Sequence, residues 1–351
     1  MFRRLHLLAV LFLAGPASAQ SGPAPPPRPT VAILSADASL VAAQTDDQIH
    51  VWERKSGKKL ATVRNQGAFR GALAPGALVA VSDRGITVWR GEGYDRPVKL
   101  ALPKLLSIGR AAISRDGRVA TAIFAHDGGV GDPDTVGVWD ARSGATRGRV
   151  TLPRARVQGT ALSADSRWLA IFADRPGGKG AVLWVHPLGA RVGKPLLRWL
   201  SVEDRTTYCA AFAPPPARRL ALCAGQRLLI WDLGRRRIVA RAETRALAAL
   251  FPSELRAALP AMPGAHGVAF SPDGKELLTL HGFRVVGVAR WSVAPLAPTS
   301  WIKRPLVGGT MRQVAWDPGG AVWLVTSSYA PRVTVHQVRG GRFAPLRVLE
   351  P

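Results

Sequence analysis

The sequence predicts an all-β fold, a seven-bladed β-propeller of four-stranded antiparallel blades with one short helical insertion. Three observations lead to this prediction. A unit of four short apolar strands recurs seven times, turns rich in Pro, Gly and Asp separate the strands, and a Trp stands in the third strand of six copies. A single four-stranded sheet cannot bury both of its faces, and radial packing of seven sheets covers them.

The third strand of each unit carries the most regular mark. A Trp occupies the same place in six copies, and His336 takes that place in the seventh, where we expect a packed core residue rather than a base. Because an indole buries a large apolar area, each Trp should pack between blades and contribute about 2–3 kcal/mol before entropy costs. The six are Trp52, Trp89, Trp139, Trp184, Trp231 and Trp291.

The turn between the first and second strands also repeats. It contains Pro, Gly or Asp, which supply the backbone dihedrals that tight turns require. This indicates hairpins at equivalent places in all seven units. The turns lie at 35–39, 74–76, 114–118, 163–167, 213–216, 271–275 and 317–320.

These motifs carry a resemblance to a known family. The Trp-Asp pairs 139–140 and 231–232 and the run Ser271-Pro272-Asp273-Gly274-Lys275 resemble WD40-like β-propellers, with turns similar to those of bacterial propeller repeats. The resemblance covers residues 30–351 and implies a structural Asp six residues before the Trp, a spacing that Asp46 and Asp83 match. How the ring is closed stays open, because the last copy ends with a strand of its own.

The N-terminal segment predicts export. Arg3 and Arg4 precede a short apolar stretch, and Ala17-Ser18-Ala19 is a small-residue cleavage site, the pattern of a secretory signal peptide over 1–19. A Pro-rich linker follows at 20–29, and the propeller occupies 30–351. No later stretch is apolar for long enough to span a membrane. We therefore expect a periplasmic or secreted protein.

The two cysteines predict a disulfide. Cys209 and Cys223 lie at equal distances from the centre of a predicted hairpin loop, so they should face each other on adjacent antiparallel strands. An exported chain meets an oxidising compartment, where this pair would form a bond. The alternative is two small, buried, reduced residues.

Acidic loops predict a binding face. They follow the second strands of the first four blades, so the fold gathers them on one side of the disc, together with an insertion at 245–264 that contains a predicted helix at 253–259. The third of these loops contains acidic residues and glycines, as calcium-binding loops do, so a calcium site is an alternative there. The spacing of its acidic residues is not the regular spacing of such loops. The candidate binding residues are Asp47, Asp127, Asp132, Asp134, Asp174, Glu254 and Arg256.

The chain is strongly basic, with 48 Lys and Arg against 23 Asp and Glu and a formal charge of +25. Basic links between third and fourth strands should form a rim on the opposite face, notably 54–59, Arg142, Arg147 and 235–237. The rim is either solvated charge or an attraction for an anionic polymer of the cell envelope. Nucleic acid is an unlikely target for an exported protein, and no RNA-binding signature is present.

No catalytic motif or metal-ligand spacing is present, and we predict no cofactor. The sequence favours a non-catalytic scaffold that binds another macromolecule, most simply a protein, through loops on a propeller face. Two alternatives remain. One is a propeller-type hydrolase or lactonase with a metal in the central channel, and the other is an electrostatic binder of anionic polymer.

Overall fold

The computed structural model confirms the seven-bladed propeller. Seven four-stranded antiparallel sheets follow one another along the chain, each built from four consecutive strands. The predicted signal peptide lies outside the described residues, as does the linker except for Pro29, which begins the first strand. The structure describes residues 29–65, 69–82, 85–102, 107–125, 134–153, 155–175, 180–201, 207–251, 264–281, 287–303, 310–327, 333–339 and 342–349.

The strands are numbered in chain order, and the innermost strand of each blade comes first. Blades 1 to 4 comprise β1 Pro29–Leu34, β2 Leu40–Thr45, β3 Gln48–Glu53, β4 Lys59–Arg64; β5 Ala72–Ala74, β6 Ala77–Ser82, β7 Gly85–Arg90, β8 Arg96–Lys99; β9 Ser107–Ile113, β10 Val119–Ala125, β11 Asp134–Asp140, β12 Thr146–Leu152; and β13 Arg156–Leu162, β14 Trp168–Asp174, β15 Ala181–Pro187, β16 Leu197–Ser201. Blades 5 to 7 comprise β17 Thr207–Phe212, β18 Arg219–Ala224, β19 Arg227–Asp232, β20 Arg237–Glu243; β21 Gly267–Phe270, β22 Glu276–His281, β23 Gly287–Val293, β24 Leu296–Lys303; and β25 Thr310–Trp316, β26 Val322–Ser327, β27 Val333–Arg339, β28 Arg342–Leu349.

A 3₁₀ helix at Thr244–Leu250 follows blade 5 and opens the predicted insertion. Leu247 and the following Phe251 are buried, and the Phe251 ring meets Trp301 of blade 6 edge-on at 4.7 Å. The helix therefore packs against the next blade. The helix predicted at 253–259 lies outside the described residues.

Hydrogen bonds within the first turn of a blade explain why the Ser-x-Asp pattern recurs. In blade 1 the Ser35 hydroxyl donates to Asp37 at 2.6 Å and accepts the backbone N–H of Leu40 at 3.0 Å. Blades 3, 4 and 6 repeat both bonds with their own Ser and Asp. A short polar motif thus sets the register between the first two strands.

The hydrophobic core consists of wedges between neighbouring blades. Each of seven clusters of buried residues joins two adjacent blades, and one of them joins blade 7 to blade 1. The repeated Trp of each blade packs on the preceding blade. Trp139, for example, belongs to the cluster with blade 2, and its indole N–H donates to the carbonyl of Ala101 at 3.2 Å. Trp89 and Trp184 are half-buried, and the other four are buried.

Blade 7 lacks a Trp in its third strand, and Trp316 of its first strand packs against blade 6 instead. His336 is fully buried, as expected for a core position. The large apolar surface toward blade 6 comes from Trp316 at the end of β25, whose indole N–H points to the carbonyl of Ala269 at 3.4 Å. The guanidinium of Arg290 lies 4.9 Å from the centre of the Trp316 ring.

Among the strands that the structure describes, none is exchanged to close the ring, since each sheet contains consecutive strands only. Blades 1 and 7 instead meet through a shared apolar cluster and polar contacts. The N–H of Leu34 donates to the Gln313 side chain at 3.0 Å, and the Arg347 guanidinium donates to the carbonyls of Ser56 and Lys55. Side-chain contacts between the first and last blades thus provide the closure that the sequence left open.

Candidate functional site

The propeller presents two faces with different loops. We call the side with the turns after second strands, and with the links between blades, the upper face. The lower face carries the turns between strands one and two and between strands three and four. The upper face was predicted to bind a partner, and many of its loop residues lie outside the described ranges. Among them are Asp83, Asp127, Asp132, Glu254 and Arg256.

The described upper-face acids differ in exposure. Asp46 is exposed and takes a left-handed backbone conformation with φ 49°, so it serves the tight turn after β2. Asp47 faces solvent and pairs with Arg64 at 2.8 Å. Such an exposed ion pair contributes little stability, so Asp47 is open to a partner.

Asp134 is a correction to the predicted binding face. It is buried, with 8% exposure, and its carboxylate accepts the backbone N–H of Val157 in blade 4 at 2.7 Å. Asp174 is half-buried and accepts the Gln158 amide at 2.7 Å. Asp134 therefore stabilises the junction between blades 3 and 4, because an acid at the start of β11 can satisfy a backbone donor of the neighbouring blade.

The cysteines stand opposite each other in register on β17 and β18. Both are free thiols, buried between blades 5 and 6, and the Cys209 thiol contacts the carbonyl of Ala265 at 3.3 Å. Burial and the neighbouring Cys223 raise the pKa of the Cys209 thiol well above its ordinary value, so the thiol is protonated at neutral pH. The disulfide stays a prediction.

The lower face contains the predicted basic rim, but part of that rim is structural. Arg54 is inserted between blades 1 and 7, with its guanidinium 3.4 Å from the centre of the Trp323 ring and 3.4 Å from the Asp317 carboxylate. Arg147 pairs with Asp140 at 2.5 Å and contacts the carbonyl of Gly189. These arginines are occupied within the fold.

A surplus of positive charge collects instead on the lower face of blades 4 and 5, where only Arg167 and Arg235 of the described basic residues pair with an acid, each at 3.9 Å. Their turns carry exposed basic side chains, while the two acids of these turns, Asp165 and Asp232, accept hydrogen bonds from neighbouring backbone N–H groups. The basic side chains are Arg167, Arg191, Lys194, Arg218, Arg219, Arg235, Arg236 and Arg237.

A groove of about 260 Å³ opens in the middle of this basic region. Trp168 of blade 4 forms one wall, and Pro215 and Pro216 of blade 5 form the other. Phe212 and Leu233 contribute further apolar surface, and the guanidinium-bearing residues Arg167 and Arg218 line the rim. Sequence reasoning missed this groove, since its walls come from turns about fifty residues apart.

Comparisons with known proteins give matches in structure alone. No family model and no curated protein sequence matches the chain. A chain in the crystal structure of the mitotic checkpoint complex superposes with a TM-score of 0.61 at 16% identity, covering 95% of this chain and 99% of that one. The C-terminal WD40 domain of Sif2 gives a TM-score of 0.58 at 11% identity, covering 89% and 82%. The chain has a WD40-like fold.

The WD40-like blades hold buried polar groups that sequence reasoning did not identify. In blade 6 the indole of Trp291 donates to the Thr279 hydroxyl at 2.8 Å, and Thr279 also contacts His281 at 2.8 Å. In blade 1 the ring of His50 lies between the hydroxyls of Thr45 and Thr62. Burial lowers the pKa of both histidines, to about 3 for His281, so they remain neutral hydrogen-bonding groups.

The axis of the WD40-like propeller is surrounded by inner strands that contact one another around the ring. As the structure bounds them, these seven strands contain no Asp, Glu or His. Within the described ranges no group of three such residues could hold a metal ion. No described helix has the length and apolar character needed to cross a membrane.

Proposed function

We propose that the protein is a non-catalytic interaction scaffold that binds another protein through the loops of its upper face. The observation that carries the proposal is the propeller itself, a ring of seven blades in which many buried polar groups form hydrogen bonds within turns, within blades and between blades. WD40-like neighbours support an interaction role, and one of them is part of a multi-protein complex. The role is argued from fold analogy together with the chemistry of the inner strands.

The proposal includes export. The signal-peptide pattern over residues 1–19 is its basis, and cleavage after Ala19 leaves a chain that begins at Gln20. Recovery of the protein from a periplasmic or culture fraction, followed by measurement of its intact mass, tests this part. A full-length mass in the cytosolic fraction would contradict it.

The partner is tested by affinity capture from an extract of the cell envelope with mature protein that begins at Gln20. A stoichiometric protein that stays bound as salt rises supports the scaffold, and reconstitution from two purified components must reproduce the complex. Asp47→Arg probes the upper face, and Glu92→Arg, an exposed residue between β7 and β8, serves as a matched charge reversal on the lower face of blade 2. We expect only the first variant to weaken capture.

The formal charge of +25 favours the electrostatic binder as a second candidate. Binding to an anionic polymer falls steeply with ionic strength, whereas an interface with a buried apolar centre does not. A salt titration of the captured complex therefore separates the two. The enzyme alternative has less support, since the inner strands lack carboxylate and imidazole ligands, and a stoichiometric metal in the purified protein would reopen it.

A further inference from the structure

We propose that the groove on the lower face between blades 4 and 5 is a second binding site, which takes an acidic peptide segment and inserts one apolar side chain of that peptide against Trp168. This site is separate from the upper-face loops to which the partner was assigned above. Either proposal can fail without the other.

Part of the apolar lining of the groove comes from Leu233, at a position where blade 1 has an arginine. After the third strand of blade 5, the N–H of Leu233 bonds to the carbonyl of Arg218, just before β18 begins. In blade 1 the N–H of Arg54 bonds in the same way to the carbonyl of Ser39, just before β2. Leu233 and Arg54 therefore occupy the same place in their blades.

A Trp lies near each of these two positions, on the same face of its strand but not at the same place. Trp323 and Trp168 both pack toward the following blade. The strand pairing aligns Val322 with Leu169, so Trp323 stands two residues further along its strand than Trp168. Between blades 7 and 1, Arg54 covers its indole at 3.4 Å. Between blades 4 and 5 the shorter Leu233 leaves Trp168 half-buried, and the groove remains open.

The size and lining of the groove suit a side chain rather than a cofactor. About 260 Å³ lies below the volume of sites that hold drug-sized ligands. An indole, a phenyl ring and two prolines provide apolar contact area, and proline rings lose no side-chain entropy when a ligand packs on them. An aromatic or Leu side chain therefore fits the groove.

The charge around the groove selects the rest of the peptide. Arg218 is exposed and has no carboxylate within ion-pair distance among the described residues, and Arg167 is largely exposed as well. The one acidic lining residue, Asp165, accepts hydrogen bonds from the Ser163 hydroxyl and the Arg167 N–H, and its other oxygen lies 3.9 Å from Arg167. Carboxylates on a ligand would meet the surplus guanidinium groups.

The site is tested with a phage library of random peptides sorted on the mature protein. We expect the enriched peptides to share carboxylates on either side of an aromatic or Leu residue. Synthetic copies of these peptides are then titrated by fluorescence anisotropy against the protein and its variants. Arg218→Glu should weaken binding about tenfold or more, and Trp168→Ala about thirtyfold. Arg96→Glu, an equal charge reversal on blade 2, should leave the affinity unchanged.

A third variant fills the groove instead of removing a contact. Leu233→Arg introduces the residue that blade 1 uses, and its guanidinium should cover Trp168 and exclude the peptide. Circular dichroism and a urea transition check that each variant folds. Arg218→Glu changes an exposed side chain, so it keeps the test valid if Trp168→Ala or Leu233→Arg does not fold.

Three outcomes would overturn the proposal. Enriched peptides without acidic residues would remove the charge argument. Equal binding by the wild type, Arg218→Glu and Leu233→Arg would place the peptide elsewhere. Binding of heparin by both the wild type and Trp168→Ala, with no peptide enriched, would make this region an electrostatic surface for polymers. None of these results bears on a partner held by the upper loops.

Discussion

The junction between blades 7 and 1 and the junction between blades 4 and 5 each place an indole near the residue that follows a third strand. The first junction is sealed on the lower face, and the second is open. At the first, Arg54, Trp323 and Asp317 form a sealed contact, in which the indole N–H also donates to the carboxylate at 2.8 Å. At the second, the place of Arg54 is taken by Leu233, and a groove opens beside Trp168.

The difference follows from how each junction is held. Blades 4 and 5 are joined by the chain itself, whereas the described contacts between blades 7 and 1 are all non-covalent. A cationic side chain stacked on an indole and paired with a carboxylate adds directional contacts where no covalent link exists. A junction that is already tethered can leave its indole accessible, and the comparison shows that a guanidinium stacked on the indole distinguishes the sealed junction from the open one.

Removal of the two indoles gives the largest expected effect. Trp323→Ala should lower the free energy of unfolding by about 3–5 kcal/mol, since its ring is buried at the closure. Trp168→Ala should cost about 1–2 kcal/mol because that ring is half-buried. Urea denaturation at matched conditions measures both, and equal losses would show that the closure contact has no special weight.

The next test concerns the other side of blade 5, where Cys209 and Cys223 are buried against blade 6. For protein recovered from an oxidising compartment, we expect the predicted disulfide, which closes a loop of about 15 residues and is worth about 3 kcal/mol. No thiol should then titrate after unfolding without reductant, and reduction should lower the urea midpoint. Two titratable thiols in unreduced protein would establish the free pair that the structure holds.

Exchange of residues between the two junctions has a smaller effect. Arg54→Leu should reduce the free energy of unfolding by about 1–2 kcal/mol, because Asp317 loses its guanidinium but keeps the indole donor. Arg96→Leu on blade 2 is the matched control, with an expected change near zero. If the two variants unfolded at the same urea concentration, Arg54 would not contribute to closure.

The smallest effect that we expect near neutrality is a change of stability with pH. It extends the comparison to a third region, the interior of blade 6. Burial and the charge of His266 lower the pKa of His281 to about 3, from an ordinary value of 6.5. The unfolded chain takes up this proton first as pH falls, so the stability present above 6.5 is progressively lost toward pH 3. Urea midpoints between about pH 7 and pH 5 avoid most carboxylate titration.

The control for this titration is His281→Gln, which keeps a hydrogen-bonding group near Thr279 but cannot titrate. Its midpoint should vary less with pH over the same interval. An identical slope in the wild type and the variant would assign the pH dependence to other groups.

Local patterns made the blades predictable. The Ser and Asp of turn 35–39 bond to each other within five residues, and the third-strand Trp recurs because every blade must cover its neighbour. The register of Cys209 with Cys223 followed from the symmetry of one hairpin. Each of these inferences depends on contacts that are short in sequence, which a repeated motif can report.

The candidate sites were harder to predict because exposure depends on neighbouring blades. The sequence around Asp134 is typical of an exposed acidic loop. Only the structure places β13 of blade 4 beside it, so that Asp134 is buried and accepts the N–H of Val157. The groove remained hidden for the same reason. Neither Leu233 nor Trp168 has a distinctive local pattern, and their importance appears only in comparison with Arg54 and Trp323 at the other junction.

The sequence by itself determined the number of blades, the order of strands within each blade and the packing of the six third-strand indoles between sheets, because strand and turn preferences act over a few residues. Only the tertiary structure decided how the ring is closed and which junction stays open. Arg54 and Asp317 are 263 residues apart, and a contact at that separation arises only after all seven blades have assembled around one axis.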